Sequence, residues 1–325
     1  MAYGLYSAFL ALATTTGVWE VWASARTGLS AFAAVCVLAA LASAVNDTVS
    51  AAWSLAVTVG RGKLGELWAA LRSRPGRVVV AAALVGGPLA SSCYIVGLQQ
   101  AGSVAIPITA LCPAVGAVLG RLFLRQRLNA VMAAGIAVCV AAGGLAGWSA
   151  VSAGGNPALG VGLALVAAVG WGVEGTLGGY SASLIDSQVA ISIRQTVSGL
   201  ANLLVLLPLL CLFDGDATLG WRLAGQAVAS FPAMAFFAVS GLAAAVSYAM
   251  WYKGNALCGT ALGMAGNGTY AFWGPLLCWL VVTVAAGRPG WEPSPGVWLG
   301  AAAMAAGIFV IARGTGRGSP DDSAA

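Results

Sequence analysis

The sequence contains no histidine. This absence removes the commonest metal ligand and the usual general base at neutral pH. The seven cysteines are scattered through apolar stretches, without a Cys-x-x-Cys pair or another metal-binding spacing, as is typical of small buried hydrophobic residues. The sequence therefore predicts no metal, no cofactor and no enzymatic activity.

Charged residues are also scarce. They make up 8% of the chain, against 60% hydrophobic residues, and the mean hydropathy is +0.90. Nearly uncharged runs recur that are long enough to cross a bilayer, which takes about 20 residues. These runs predict a polytopic membrane protein whose partner is the lipid bilayer. The net charge of +5 follows from basic residues in the connections, so no nucleic-acid partner is expected.

Ten membrane spans fit this pattern. Of the fifteen Lys and Arg residues, eleven fall on one side of the membrane, three on the other, and Arg194 lies inside the seventh span. The positive-inside rule then predicts a multi-pass protein with both termini in the cytoplasm. The predicted spans are 3–25, 31–59, 76–99, 103–124, 129–148, 158–181, 188–213, 228–253, 257–285 and 296–313.

The spans divide into two halves of five, residues 1–150 and 151–313, followed by a polar tail at 314–325 that is predicted to be disordered. Because each half has an odd number of spans, the halves must be inverted relative to each other, as in many secondary transporters. The predicted fold is an all-α membrane protein with ten transmembrane helices in two inverted five-helix repeats. Weak sequence similarities between the halves support the duplication: Gly17 to Glu20 resembles Gly170 to Glu174, and Pro113 corresponds to Pro275.

Trp171 and Glu174 lie one helical turn apart within span 6, so they share a helix face. An acid at the centre of a span costs roughly 2.5 to 3.5 kcal/mol and is retained mainly beside a partner or a cavity. An indole face beside a carboxylate suits a desolvated organic cation. Arg194 lies at a similar depth, so a structural ion pair is the alternative role for Glu174, and neither role excludes the other.

Two further acids lie within spans. Asp47 has no cationic neighbour in the sequence, so it is a candidate proton or cation site that is protonated, hydrogen-bonded or facing water. Glu20 lies nearer the surface and is a weaker candidate. By its echo of span 6, Trp19 would approach the substrate from the opposite half, with Trp22 as the alternative.

Aromatic side chains recur at helical spacing in spans 8 and 9, which places each set on one helix face. An interfacial aromatic belt is the alternative explanation. It is favoured for Tyr252 beside Lys253, and less so for the deeper Tyr248 and Tyr270. The two sets are Tyr248, Trp251 and Tyr252, and Asn267, Tyr270 and Trp273.

On these residues the chain resembles the ten-span drug/metabolite transporters, and most of all the bacterial choline transporters of the Lic type. The resemblance implies a carrier in the bacterial inner membrane that binds choline in an aromatic cage at mid-membrane. A homodimer is compatible with it. The resemblance also implies Trp19, Trp171, Tyr248 and Tyr270 as cage residues and Glu174 as their acidic partner. The matching positions are Trp171 to Glu174, Ile193 to Gln195, Gly87-Pro88, Ser247 to Tyr252, Asn267, Tyr270 and Trp273.

The predicted function is import of choline or a similar quaternary ammonium compound. Such a cation cannot donate hydrogen bonds, so its selectivity must come from ring faces and a nearby negative charge. The alternative is an exporter of the same fold for amino acids or other small cationic or aromatic metabolites or drugs. The candidate substrate-binding residues are Trp19, Asp47, Trp171, Glu174, Tyr248, Trp251, Asn267 and Tyr270.

Overall fold

The structure is a computed structural model that describes residues 1–24, 28–123, 129–148, 156–258, 263–264 and 267–315. Within these ranges the chain is helical and has no β-strand. The helices are α1 (Ala2–Ala13), α2 (Val18–Ala23), α3 (Ala33–Gly60), α4 (Leu64–Arg72), α5 (Arg74–Ala101), α6 (Ala105–Phe123), α7 (Ala130–Trp148), α8 (Pro157–Ala182), α9 (Ser187–Asp214), α10 (Leu219–Ala229), α11 (Phe231–Cys258), α12 (Tyr270–Ala285) and α13 (Pro295–Thr315).

In the part of the chain that the structure describes, seven helices are long and apolar enough to cross a membrane: α3, α5, α6, α8, α9, α11 and α13. Shorter apolar helices, α1, the beginning of α7 and α12, occupy predicted spans 1, 5 and 9. The chain is therefore an all-α protein with several helices of membrane-spanning length, and the crossing of all ten stays a prediction. The boundary at residues 150 and 151 and the tail from 316 lie outside the described residues.

The first predicted span differs in the structure because it is interrupted. Helix α1 ends at Ala13, and α2 begins at Val18 after a turn. Gly17 has φ +62°, a conformation that favours glycine because it has no Cβ. The backbone N–H of Val18 then donates to the hydroxyl of Ser230, at 3.3 Å. This interruption takes the residues after Gly17, including Trp19, off the axis of α1.

Two prolines shape the helices beside the site. Pro88 has no N–H, and α5 widens into a π-helical stretch from Val85 to Ser91 around it. Pro113 cannot donate to the carbonyl of Thr109, and α6 is interrupted by a turn directly after Thr109. Proline inside a helix removes one hydrogen bond and crowds the preceding turn, so both irregularities follow from the sequence.

Asp186 caps α9 and ties it to the turn between α3 and α4. Its carboxylate accepts from the backbone N–H of Gln188 at 2.9 Å and of Val189 at 3.2 Å, and it pairs with Lys63 at 2.5 Å. Partial burial pushes the pKa of Asp186 up, but the hydrogen bonds from Lys63 and the helix N-terminus hold it below its ordinary value.

Replacing Asp186 with alanine should lower the unfolding free energy by about 1 kcal/mol, the usual contribution of a helix cap. A carboxyl whose pKa is lowered in the folded state stabilises the folded protein at pH values above its unfolded pKa of about 3.9. That stabilisation is lost as the pH falls through the folded pKa. Thermal unfolding in detergent at pH 7 and pH 3 should show a smaller deficit at pH 3 than at pH 7. Glu66→Ala, at an exposed acid 3.9 Å from Lys63, is the control, and a deficit that is equal at both pH values would contradict the prediction.

Candidate functional site

A buried ion pair joins α8 to α9. The Arg194 Nε donates to Oε1 of Glu174 at 2.6 Å, and its Nη2 donates to Oε2 at 3.1 Å. Both side chains are fully buried. A bidentate guanidinium–carboxylate pair is the geometry that best offsets the cost of removing two charges from water. The pairing proposed from their similar depth is therefore present.

Asp47 on α3 belongs to the same network. Its Oδ2 lies 4.0 Å from Nη1 of Arg194, accepts a hydrogen bond from the Ser198 hydroxyl and accepts another from the Asn202 amide at 3.3 Å. Of the states left open by the sequence, the hydrogen-bonded one is found. Two carboxylates thus share one guanidinium, so these three groups carry one excess negative charge when both acids are ionised. We call Asp47, Glu174, Arg194, Ser198 and Asn202 the charge network.

Glycines let the charge network lie against the backbone of α5. A Cβ built on Gly86 would lie 1.7 Å from Oε2 of Glu174, and one built on Gly87 would lie 1.8 Å from the Ser198 hydroxyl. The carbonyl of Gly86 also accepts from the indole N–H of Trp171 at 3.1 Å. The π-helical stretch around Pro88 therefore receives one side chain from α9 and two from α8.

Tyr248 and Tyr252 connect α11 to the charge network. The guanidinium carbon of Arg194 lies 4.1 Å from the centre of the Tyr248 ring, a cation–π distance, and Nη2 donates to the Tyr248 hydroxyl at 3.3 Å. The Tyr252 hydroxyl donates to Oε1 of Glu174 at 3.3 Å. Tyr252 is fully buried, so it stabilises the network and is not part of an interfacial belt.

Five rings line a small cavity beside the charge network. We call Tyr3, Trp171, Tyr248, Trp251 and Tyr270 the aromatic box. The cavity measures about 10 Å³, which is room for about one water molecule. Its wall is completed by Cys112, Ser247 and Asn267.

The structure thus brings together five of the eight residues proposed from the sequence, namely Trp171, Tyr248, Trp251, Asn267 and Tyr270. Asp47 and Glu174 lie in the charge network and do not line the cavity. The Tyr248 ring borders both, and it meets the charge network through the Arg194 guanidinium.

Trp19 lies elsewhere. It packs edge-on against Trp22, with ring centres 5.1 Å apart, and against Phe237 at 5.5 Å. It lines a separate cavity of about 590 Å³ near the end of α1. The interruption at Gly17 explains this position, and the structure does not place Trp19 beside Trp171.

Three buried tyrosines in or beside the aromatic box were not predicted from the sequence: Tyr3, Tyr6 and Tyr94. Tyr94 packs against Trp171 with ring centres 5.2 Å apart. The sequence carried a signal for two of them, because Tyr3 and Tyr6 lie three positions apart, a spacing that places both on one helix face. No acid lies near any of the three in the sequence.

A second cavity adjoins the box. It measures about 420 Å³ and extends from the box past Met1 and Met250. We call it the vestibule. It shares with the small cavity the residues Tyr3, Ser247, Trp251, Asn267 and Tyr270.

The chemistry of this arrangement suits a cation that cannot donate hydrogen bonds. Ring faces attract a desolvated cation, and the group of the charge network that contacts Tyr248 is the Arg194 guanidinium, which the two acids neutralise when they are ionised. The Trp171 indole N–H is already bonded to Gly86, which leaves its ring free to serve as a wall. An anion would meet no cationic group on the cavity lining.

No family model matches this sequence, and no curated protein does. Among solved structures, one described as "Crystal structure of protein" has 17% identity and a TM-score of 0.45, over 95% of this chain and 97% of that chain. A likeness this weak carries no inference about fold or function.

Proposed function

We propose that this protein is a secondary transporter of the drug/metabolite transporter type, which imports choline or a similar quaternary ammonium compound by alternating access. The observation that carries the proposal is the aromatic box beside the charge network. Five rings face one cavity, and two buried carboxylates share one guanidinium behind it. The box is the substrate site.

Energetics favour this substrate class. A ring face contributes about 2 kcal/mol or more to binding of a desolvated cation, and micromolar affinity requires about 8 kcal/mol. Several rings can supply that after ordering and desolvation costs, and the charge network adds a negative charge when both of its acids are ionised. An inside-negative potential adds roughly 2.3 kcal/mol per charge per 100 mV in favour of import.

Helix packing supports the proposed inverted repeats. Helix α1 packs against α11 and α12, and α8, its counterpart in the second half, packs against α5 and α6. These contacts are equivalent when the halves are exchanged. The pairs α3 with α9 and α7 with α13 map onto themselves in the same exchange. On this basis we extend the seven membrane-length helices to ten spans in two inverted repeats. The distribution of basic residues favours both termini in the cytoplasm, and the resemblance favours a bacterial inner membrane.

The direct test is a choline titration of the purified protein, followed by isothermal calorimetry. Replacing Trp171 with alanine should weaken binding about 30-fold, which corresponds to the roughly 2 kcal/mol of one ring. Trp19→Ala is the matched control, because Trp19 lies in the separate cavity, and it should stay within about twofold of the wild type.

Transport is tested with the protein in liposomes under an inside-negative potential, where labelled choline should accumulate. If neither choline nor related methylated amines bind or accumulate, the proposal is wrong. Stabilisation by amino acids without any effect of choline would instead favour an exporter with the same fold.

A further inference from the structure

The Tyr3 ring contacts four other aromatic rings. It stacks on Tyr270 with ring centres 4.1 Å apart, and it meets Trp171 edge-on at 6.0 Å and Tyr6 edge-on at 5.2 Å. Tyr94 lies 6.0 Å away. An edge-to-face contact sets the positive edge of one ring against the negative face of another. Tyr3 is therefore in ring contact with two other members of the aromatic box, Trp171 and Tyr270.

The remaining space is too small for a cationic guest. The cavity of about 10 Å³ holds about one water molecule, and a quaternary ammonium compound is several times larger. Tyr3 lines both this cavity and the vestibule of about 420 Å³. Removal of its ring would join the two and leave a chamber walled by Trp171, Trp251 and Tyr270.

The opposite side of the box is closed more firmly. The hydroxyls of Ser7 and Tyr94 are hydrogen-bonded at 2.7 Å, and Tyr6 packs beside Tyr94. The large cavity on that side begins at Leu10, about 10 Å from Tyr3 along α1 at 1.5 Å per residue. Three rings, those of Tyr3, Trp251 and Tyr270, line both the box and the vestibule, whereas a hydrogen-bonded layer closes the far side.

We propose that Tyr3 is an intramolecular gate: its ring closes the vestibule side of the aromatic box in this structure, and it swings out of the box before an organic cation can pass between the box and the vestibule. That the guest is a quaternary ammonium compound rests on the function proposed above. The gating role of Tyr3 does not, because it follows from ring contacts and cavity shape.

Cys112 provides a reporter that needs no substrate. It lines the box, is 2% exposed, and its Sγ lies 3.9 Å from the Tyr270 hydroxyl oxygen. The full-length protein in detergent is treated with methyl methanethiosulfonate, and modification of the Cys112 peptide is followed over time by mass spectrometry. Cys112→Ser identifies the signal.

Modification of Cys112 should be at least about tenfold faster in Tyr3→Ala than in the wild type, because the rate follows the population of the open box. Tyr3→Phe, which keeps the ring, should match the wild type. Tyr6 lies on the same helix and lines neither cavity. Tyr6→Ala removes a ring of the same size, so its rate of Cys112 modification should also match that of the wild type. If the alanine variant does not elute as a folded monodisperse species, Tyr3→Leu takes its place.

Choline is then added to each variant. Acceleration in Tyr3→Ala with protection by choline supports both the gate and the proposed function. Acceleration without protection by choline or any methylated amine leaves the gate standing and overturns the substrate. Equal rates in Tyr3→Ala and the wild type, or equal acceleration in Tyr6→Ala, overturn the gate even when choline binds.

Discussion

Replacing Glu174 with glutamine should lower the stability of the protein by about 3 to 5 kcal/mol, the usual cost of breaking a buried ion pair from one side. Glutamine keeps the shape of the side chain, so the loss comes from the charge. Arg194 is fully buried, and its remaining carboxylate, Asp47, is 4.0 Å away and already accepts two hydrogen bonds. At 2–4 °C per kcal/mol, the melting temperature should fall by roughly 6 to 20 °C.

The double variant Glu174→Gln with Arg194→Met separates pairing from general damage. If the penalty arises from an unpaired guanidinium, removing that guanidinium should recover part of the stability, and the two effects will not add. Glu66→Gln, at an exposed acid, should change the melting temperature little. Strict additivity of the two buried substitutions, or a Glu174→Gln variant as stable as the wild type, would show that the pair is not structural.

Replacing Gly86 with alanine should also be destabilising. The new Cβ would lie 1.7 Å from Oε2 of Glu174, a distance that no side chain tolerates. Either the carboxylate leaves Arg194 or α5 separates from α8. The first outcome carries the same cost of about 3 to 5 kcal/mol, and the second loses close packing, at a cost of roughly 1 to 3 kcal/mol.

Gly162→Ala is the matched control for this substitution. Gly162 lies on α8, and an added Cβ there would meet no atom within 4 Å. Alanine in a helix interior is favoured over glycine by about 0.5 to 1 kcal/mol, so this variant should be neutral or slightly more stable. In a Glu174→Ala background, Gly86→Ala should cost much less than in the wild type. Equal costs in both backgrounds would mean that the clash with Glu174 is not the cause.

The charge network and the aromatic box meet at Tyr248. The same ring receives the guanidinium of Arg194 at 4.1 Å and lines the cavity. Loss of the Glu174–Arg194 pair frees the guanidinium from its main anchor and therefore changes the position of one wall of the box. Glu174 thus has a structural role, and a change in its pairing reaches the box through that ring.

Most of the box could be predicted from the sequence because its residues come from regular helices. Tyr248 and Trp251 lie three positions apart on α11, and that spacing alone places both on one helix face. The pairing of Glu174 with Arg194 could also be proposed, since two opposite charges at similar depth rarely remain apart in an apolar environment. Scarce charge and repeated apolar runs predicted the helical, membrane-length elements.

Tertiary structure alone decided the rest. The interruption at Gly17 carries Trp19 away from Trp171, and it depends on a contact with Ser230 more than 200 positions later. Gly86 has no side chain to suggest a role, and its importance arises only because Glu174 packs against it. Tyr3 becomes a candidate gate only where rings from α1, α5, α8 and α12 converge. Helical periodicity is local and visible in a sequence, whereas close approach between distant segments depends on how the helices pack.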